Sequence, residues 1–167
     1  MAGGEILFIE TKKVKGNGKI TITGQLGDVM RESVEIAISL VKGMLPKETE
    51  NLSEYDLHIH VPEGAVPKDG PSAGITIVTA LYSLFTGKKV DPKFAMTGEV
   101  SLRGNIMPIG GLPEKLMAAV RAGVKTVFIP EKNVQDLEDV ADEVKAELEI
   151  IPVKKITDVL SAVGLMQ

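Results

Sequence analysis

The segment from Ser72 to Phe85 constrains the fold more than any other stretch of the chain. Read as a helix, it is apolar nearly all round, so it must be buried deeply rather than laid on a surface by one stripe. Pro71 suits the first turn of such a helix, because its missing N–H would be unpaired there anyway. Deep burial requires a sizeable core. The chain has 167 residues, enough for one domain with such a core. Its balance of 44% hydrophobic to 25% charged residues is that of a soluble globular protein.

Strand and helix signals alternate around this segment. Ile6 to Lys13 reads as a strand, and Gly16-Asn17-Gly18 as a turn. Lys19 to Thr23 reads as the returning strand, so a β-hairpin is expected at the start. Asp28 suits the N-cap of a helix reaching to about Met44, with Val34, Ala37, Ile38 and Val41 at helical spacing and Pro46 ending it. Tyr55 to Val61 alternates as a strand, with His58 and His60 opposite Leu57, Ile59 and Val61. A loop from Pro62 to Gly70 follows. Beyond the apolar helix, Phe94 to Thr97 and Val100 to Ile106 read as short strands. Gly110 to Ala122 reads as a helix opened by Pro113 and closed by Gly123. Thr126 to Ile129 is a strand, Asn133 to Ala146 a broken helix, Glu149 to Pro152 a strand, and a last helix starts at Thr157. The alternation predicts an α/β domain.

Composition removes several functions. With no cysteine, disulfides, zinc–thiolate sites and a cysteine nucleophile are excluded. A net charge of -4 gives no electrostatic reason to expect nucleic acid or an anionic membrane. Aromatics are only 4%, too few for base-stacking platforms. No apolar run approaches the ~20 residues of a membrane span. The start, Met1-Ala2-Gly3-Gly4-Glu5, lacks the features of a signal peptide. The phosphate-loop pattern of ATP-binding domains is absent.

Two segments carry chemistry. In Val66-Pro67-Lys68-Asp69-Gly70-Pro71-Ser72-Ala73-Gly74, small neighbours leave the Ser72 hydroxyl accessible at the start of a buried helix. Unpaired N–H groups at a helix start can stabilise an oxyanion. Serine is equally a favoured helix cap, so the segment alone leaves both readings open. In Gly110-Gly111-Leu112-Pro113-Glu114-Lys115-Leu116, the helical wheel puts Lys115 on the face of Leu112, Leu116, Ala119 and Val120. Glu114 and Arg121 face the other way. A lysine aimed at a core becomes a neutral base or snorkels its head into water. Taken together, the two segments supply a serine nucleophile and a lysine base, a known variant of triad logic.

The segment Pro67-Lys68-Asp69-Gly70-Pro71-Ser72-Ala73-Gly74 resembles the nucleophile motif of Lon proteases. Gly98-Glu99-Val100 and Pro108-Ile109-Gly110-Gly111-Leu112-Pro113-Glu114-Lys115 resemble the stretch leading to their catalytic lysine. The likeness runs from Gly4 onward. It implies a single Lon-type proteolytic domain over residues 1–167, α/β (α+β) with mixed sheets flanked by helices. It further implies an ATP-dependent serine endopeptidase of protein quality control, cytoplasmic and hexameric. Unfolded proteins or peptides would be its substrates, and it would contact neither membrane nor nucleic acid. No cofactor is implied in this domain; ATP and magnesium would serve an ATPase domain that this chain lacks. By the resemblance Ser72 is the nucleophile, Lys115 the general base, and Thr97 the hydroxyl that positions the lysine amine. Asp69 would modulate access to the site or serve as a turn residue. Glu99 is expected to hold strands through a salt bridge or to line the cleft. His60, nearer the Pro62–Gly70 loop than His58, is expected at the cleft edge; the pair lacks a third ligand for metal. Two other classes compete with hydrolysis: phosphate or nucleotide binding at the turn before the buried helix, and a silent assembly platform.

Overall fold

The Asp56 carboxylate accepts hydrogen bonds from the N–H groups of Asn17 and Lys19, both at 2.9 Å, and this decides how the chain begins. The structure, a computed structural model, describes residues 7–45, 52–62 and 70–166. Strands β1 (Glu10–Lys15) and β2 (Ile20–Thr23) flank the Gly16-Asn17-Gly18 turn, followed by helix α1 (Asp28–Met44) and strand β3 (Tyr55–His60). The expected hairpin is split. β3 lies between β1 and β2, antiparallel to the first and parallel to the second. The cause is the polar clamp on the turn: besides Asp56, the Glu54 carbonyl accepts the Gly16 N–H at 3.0 Å. With both edges of β3 paired, Leu57 and Ile59 sink to 3% and 0% exposure while His58 stays outside. β1 begins at Glu10, later than the alternation predicts, and Ile6 lies outside the described residues.

Helix α1 buries Val34, Ala37, Ile38 and Val41 as its spacing predicts. Gly27 rather than Asp28 is its N-cap. Asp28 sits in the first turn, where a negative charge meets the positive end of the helix dipole. Pro46 lies outside the described residues. Helix α2 (Gly74–Thr86) packs on α1 and β1, with Ile75, Ile77, Val78 and Leu81 fully buried. It starts later than expected. The Ser72 carbonyl accepts the Gly98 N–H at 2.9 Å, and the first helical bond runs from Ile77 N–H to the Ala73 carbonyl. Pro71 and Ser72 therefore form a turn ahead of the helix.

The rest of the chain gives β4 (Phe94–Met96), β5 (Glu99–Val100), β6 (Ile106–Met107), α3 (Leu112–Arg121), β7 (Thr126–Pro130), a 3-10 segment (Glu131–Asp139), α4 (Asp142–Glu147), β8 (Glu149–Val153) and α5 (Ile156–Ala162). The expected strand from Val100 to Ile106 is a hairpin. Ser101 Oγ accepts N–H bonds from Arg103 at 3.3 Å and Asn105 at 3.1 Å, which folds the segment back on itself. The expected helix from Asn133 to Ala146 is tight 3-10 winding and then α4, broken by the extended Val140. Among the described residues no helix is long and apolar enough to cross a membrane.

β4, β7 and β8 make a parallel sheet with β7 in the centre. β7 is buried on both faces: Phe128 joins the core around α2, while Val127 and Ile129 join the cluster around α3. A helix connecting two parallel neighbours runs back against them. The start of α3 therefore lies at the carboxyl ends of β4 and β7, the end of an open α/β sheet where ligands meet the protein.

The Lys19 N–H, and then that of Asn17, hold the Asp56 carboxyl below the usual carboxylate value. A depressed folded pKa contributes stability that is full above the unfolded value and is lost as pH falls through the folded one. Asp56→Ala is expected to melt below the parent at pH 7, with the two melting curves converging as pH falls toward 3, the lower end of the carboxylate range. Thermal melts across that range check this; a gap that stays constant with pH would assign the effect to something other than the carboxylate.

Candidate functional site

Of the side chains that the sequence singles out, Ser72 and Thr97 lie on segments joined through Gly98 at the carboxyl end of β4, and Lys115 lies at the start of α3. Ser72 is half-buried in the turn before α2. Its backbone is held by Gly98, the second residue past β4. Gly98 N–H donates to the Ser72 carbonyl, and the Gly98 carbonyl accepts the Ile75 N–H at 3.2 Å. A side chain at Gly98 would overlap Ile75 Cδ1 and press to 3.0 Å from Ile106 Cγ2. Only glycine lets strand and turn approach this closely. Among the described residues the N–H groups of Ser72 and Ala73 donate to no acceptor. A serine hydroxyl beside N–H donors that are unpaired among the described residues suits attack on a carbonyl and capture of the resulting oxyanion.

Thr97 stands between β4 and Gly98. Its N–H donates to the Phe128 carbonyl at 3.1 Å, fixing it to the central strand. The residue is 7% exposed, and its Oγ1 is buried with no hydrogen-bond partner among the described residues. Buried hydroxyls are seldom left unpaired, and exceptions concentrate where a group is held for function.

Lys115 sits in the first turn of α3, its N–H donating to the Gly111 carbonyl at 3.1 Å. Gly111 is the N-cap, in left-handed backbone (φ 71°) that favours glycine, and no side chain caps the helix. Leu112, Leu116 and Ala119, at 1%, 0% and 1% exposure, plug the same face into the core. Lys115 is thereby half-buried, while Glu114 and Arg121 are exposed, as the wheel predicts. Burial alone pushes the Lys115 ammonium below the ordinary lysine value. Among the described residues no carboxylate pairs with it. An amine whose charge is disfavoured and unpaired is a proton acceptor in waiting.

Glu99 lies on β5, and the two histidines lie on β3. Glu99, half-buried on β5, pairs through its backbone with Met107 and makes no ion pair among the described residues. His58 Nε2 and His60 Nδ1 both hydrogen-bond Thr23 Oγ1, at 2.8 and 2.7 Å, which ties them to the outer face of the first sheet. Among the described residues no group of three His, Asp or Glu could hold a metal ion. Asp69 lies outside the described residues. One buried polar residue escaped the sequence reading. Asn133, 3% exposed, binds both backbone groups of Ile109, shortly before Lys115. The sequence reads Asn133 as the first residue of a helix, and its partner lies far away in sequence.

The family described as Lon protease (S16) C-terminal proteolytic domain matches residues 1–166. A Lon protease of Clostridium beijerinckii is 60% identical over 95% of this chain and 20% of its own length. The Lon proteases of Methanosarcina barkeri and Escherichia coli K12 are each 54% identical over 95% of this chain, which spans 20% and 21% of them. The chain thus spans about a fifth of the length of these relatives.

A lysine with a depressed folded pKa weakens the fold below that pKa, and the penalty fades as pH rises to the unfolded value. Lys115→Met keeps the apolar stem without the charge. It is expected to melt above the parent at pH 7, with the gain shrinking by about pH 10, near the unperturbed lysine value. Paired melts at the two pH values decide it. An equal gain at both would mean that packing, not charge, governs this position.

Proposed function

The chain belongs to the Lon protease (S16) C-terminal proteolytic domain family, and on that premise we propose that Ser72 is its nucleophile and Lys115 its general base. The domain is a serine peptidase. The observation that carries the assignment is the half-buried Lys115 amine, depressed by burial and without a carboxylate partner among the described residues. Lys115 Nζ takes the hydroxyl proton as Ser72 Oγ attacks the scissile carbonyl carbon. The tetrahedral oxyanion is met by the free N–H groups of Ser72 and Ala73. Lys115 then returns the proton to the leaving amine, and an acyl-serine remains. Water attacks that ester, again losing its proton to Lys115, and Ser72 is restored. Thr97 Oγ1, buried and unpartnered, accepts an N–H from the neutral amine and turns its lone pair toward Ser72. Asp69 and Glu99 bear on access to the cleft and on its walls, and His60 on its edge.

We further propose that residues 1–167 act as the proteolytic domain of a longer, ATP-dependent enzyme of cytoplasmic protein quality control. An ATPase domain elsewhere would use ATP and magnesium to feed unfolded protein into a hexameric ring. The relatives' name and their fivefold greater length support this reading. This domain needs no cofactor for the steps above, because every proton moves between Ser72, Lys115, substrate and water.

Ser72→Ala is expected to lower hydrolysis of a short peptide by at least about a thousandfold with an unchanged melt. Lys115→Arg should be nearly as inactive, since a guanidinium does not deprotonate at accessible pH. In the parent, kcat/KM should rise with pH through the lowered pKa of Lys115, because the neutral amine is the reactive form. Wild-type turnover in folded Ser72→Ala would end the proposal, and a rise with pH that survives in Lys115→Ala would take the role of base away from Lys115.

A further inference from the structure

Helix α3 starts without a side-chain cap, on a left-handed glycine, after the paired Gly110 and Gly111. Leu112 buries the first turn, but no side chain of the segment itself holds the strap that leads into it. That strap is held from outside. Asn133 Oδ1 accepts the Ile109 N–H at 2.9 Å, and its Nδ2 donates to the Ile109 carbonyl at 2.8 Å. A backbone N–H can only donate and a carbonyl can only accept, so these partners dictate which way the amide faces. The second Nδ2 hydrogen goes to Asp136 Oδ2 at 2.7 Å, which fixes the side chain from behind. Asn133 itself lies in the 3-10 segment three residues past the end of β7, the central strand.

We propose that Asn133 is a positioning residue for hydrolysis, holding the Ile109 strap so that α3 presents Lys115 to Ser72. The inference rests on the assignment of Lys115 as base. The clamp acts like one rung of a β-ladder made by a side chain: two antiparallel hydrogen bonds to a single residue define both position and orientation. It is buried at 3% exposure, so water does not replace it cheaply. The path is short, from β7 to Asn133, to Ile109, to the glycine pair, and to the first turn of α3. The amide is required in full. Aspartate would keep the acceptor for the Ile109 N–H but would oppose the Ile109 carbonyl and the Asp136 carboxylate.

The test uses this chain with Asn133→Ala and Asn133→Asp, Asp being the isosteric variant to read if Ala loses the fold. Peptide hydrolysis is measured alongside the titration of Lys115 by NMR of 13Cε-labelled lysine, which needs no turnover. Expected in each folded variant are a kcat lower by about tenfold to a hundredfold and a KM within about twofold, the mark of a misplaced catalytic group. The Lys115 titration should also move upward, toward ordinary lysine, as the loosened first turn admits water. A folded variant with parental kcat and an unmoved titration overturns the proposal. So does loss of cooperative melting in both variants, which would make Asn133 a residue of the fold. Full activity in Ser72→Ala or Lys115→Arg would instead remove the serine–lysine reading itself, so the two failures are distinguishable.

Discussion

Burial of β7 on both faces is the constraint from which the site follows. Phe128 and Ile129 are fully buried, one toward α2 and the other toward α3, so both helices are seated against one strand. A strand that must be dry on both sides also has its backbone paired on both sides, here by β4 and β8. Its carboxyl end is therefore a rigid ledge. Thr97 is pinned to β7 through the Phe128 carbonyl, and the 3-10 segment that carries Asn133 leaves its end. The serine turn reaches it through Gly98. Catalytic geometry needs placement to fractions of an ångström, and a ledge of this kind supplies it.

The same burial sets the state of the lysine. Leu112, Leu116 and Ala119 anchor α3, and Lys115 has to share their face. The desolvation that anchors the helix also disfavours the ammonium. Stability and reactivity are drawn from one patch in opposite senses, a common arrangement at sites where a base is made from an ordinary side chain.

Much of this was legible in the chain itself. A charge on an apolar helical face, and a serine among glycines ahead of an uncharged helix, are local anomalies that need no coordinates. The helix α1 and strand β3 followed their periodicities closely. What escaped depends on partners distant in sequence. The Gly16-Asn17-Gly18 turn looks like that of a hairpin until Asp56 is seen to occupy its N–H groups. Ser72 falls outside α2 because Gly98 takes its carbonyl. Asn133 reads as the start of a helix until Ile109 is found against it. Thr97 entered only through family resemblance, and its lack of a partner is visible only in three dimensions.

The split of the first sheet carries a consequence for how the chain reaches this structure. A true hairpin zips from its turn within microseconds, using neighbours in sequence. Here β1 and β2 must wait for β3, because Glu10 pairs with His60 and Thr23 with the same residue from the other side. Helix α1 intervenes and is laid down first in sequence order. The entropy of closing that long loop falls before any rung of the ladder forms, which places the sheet late and makes assembly slow for a domain of this size. Until β3 arrives, the inner edges of two strands stand open side by side, the state in which a nascent chain is most exposed to pairing with the wrong partner.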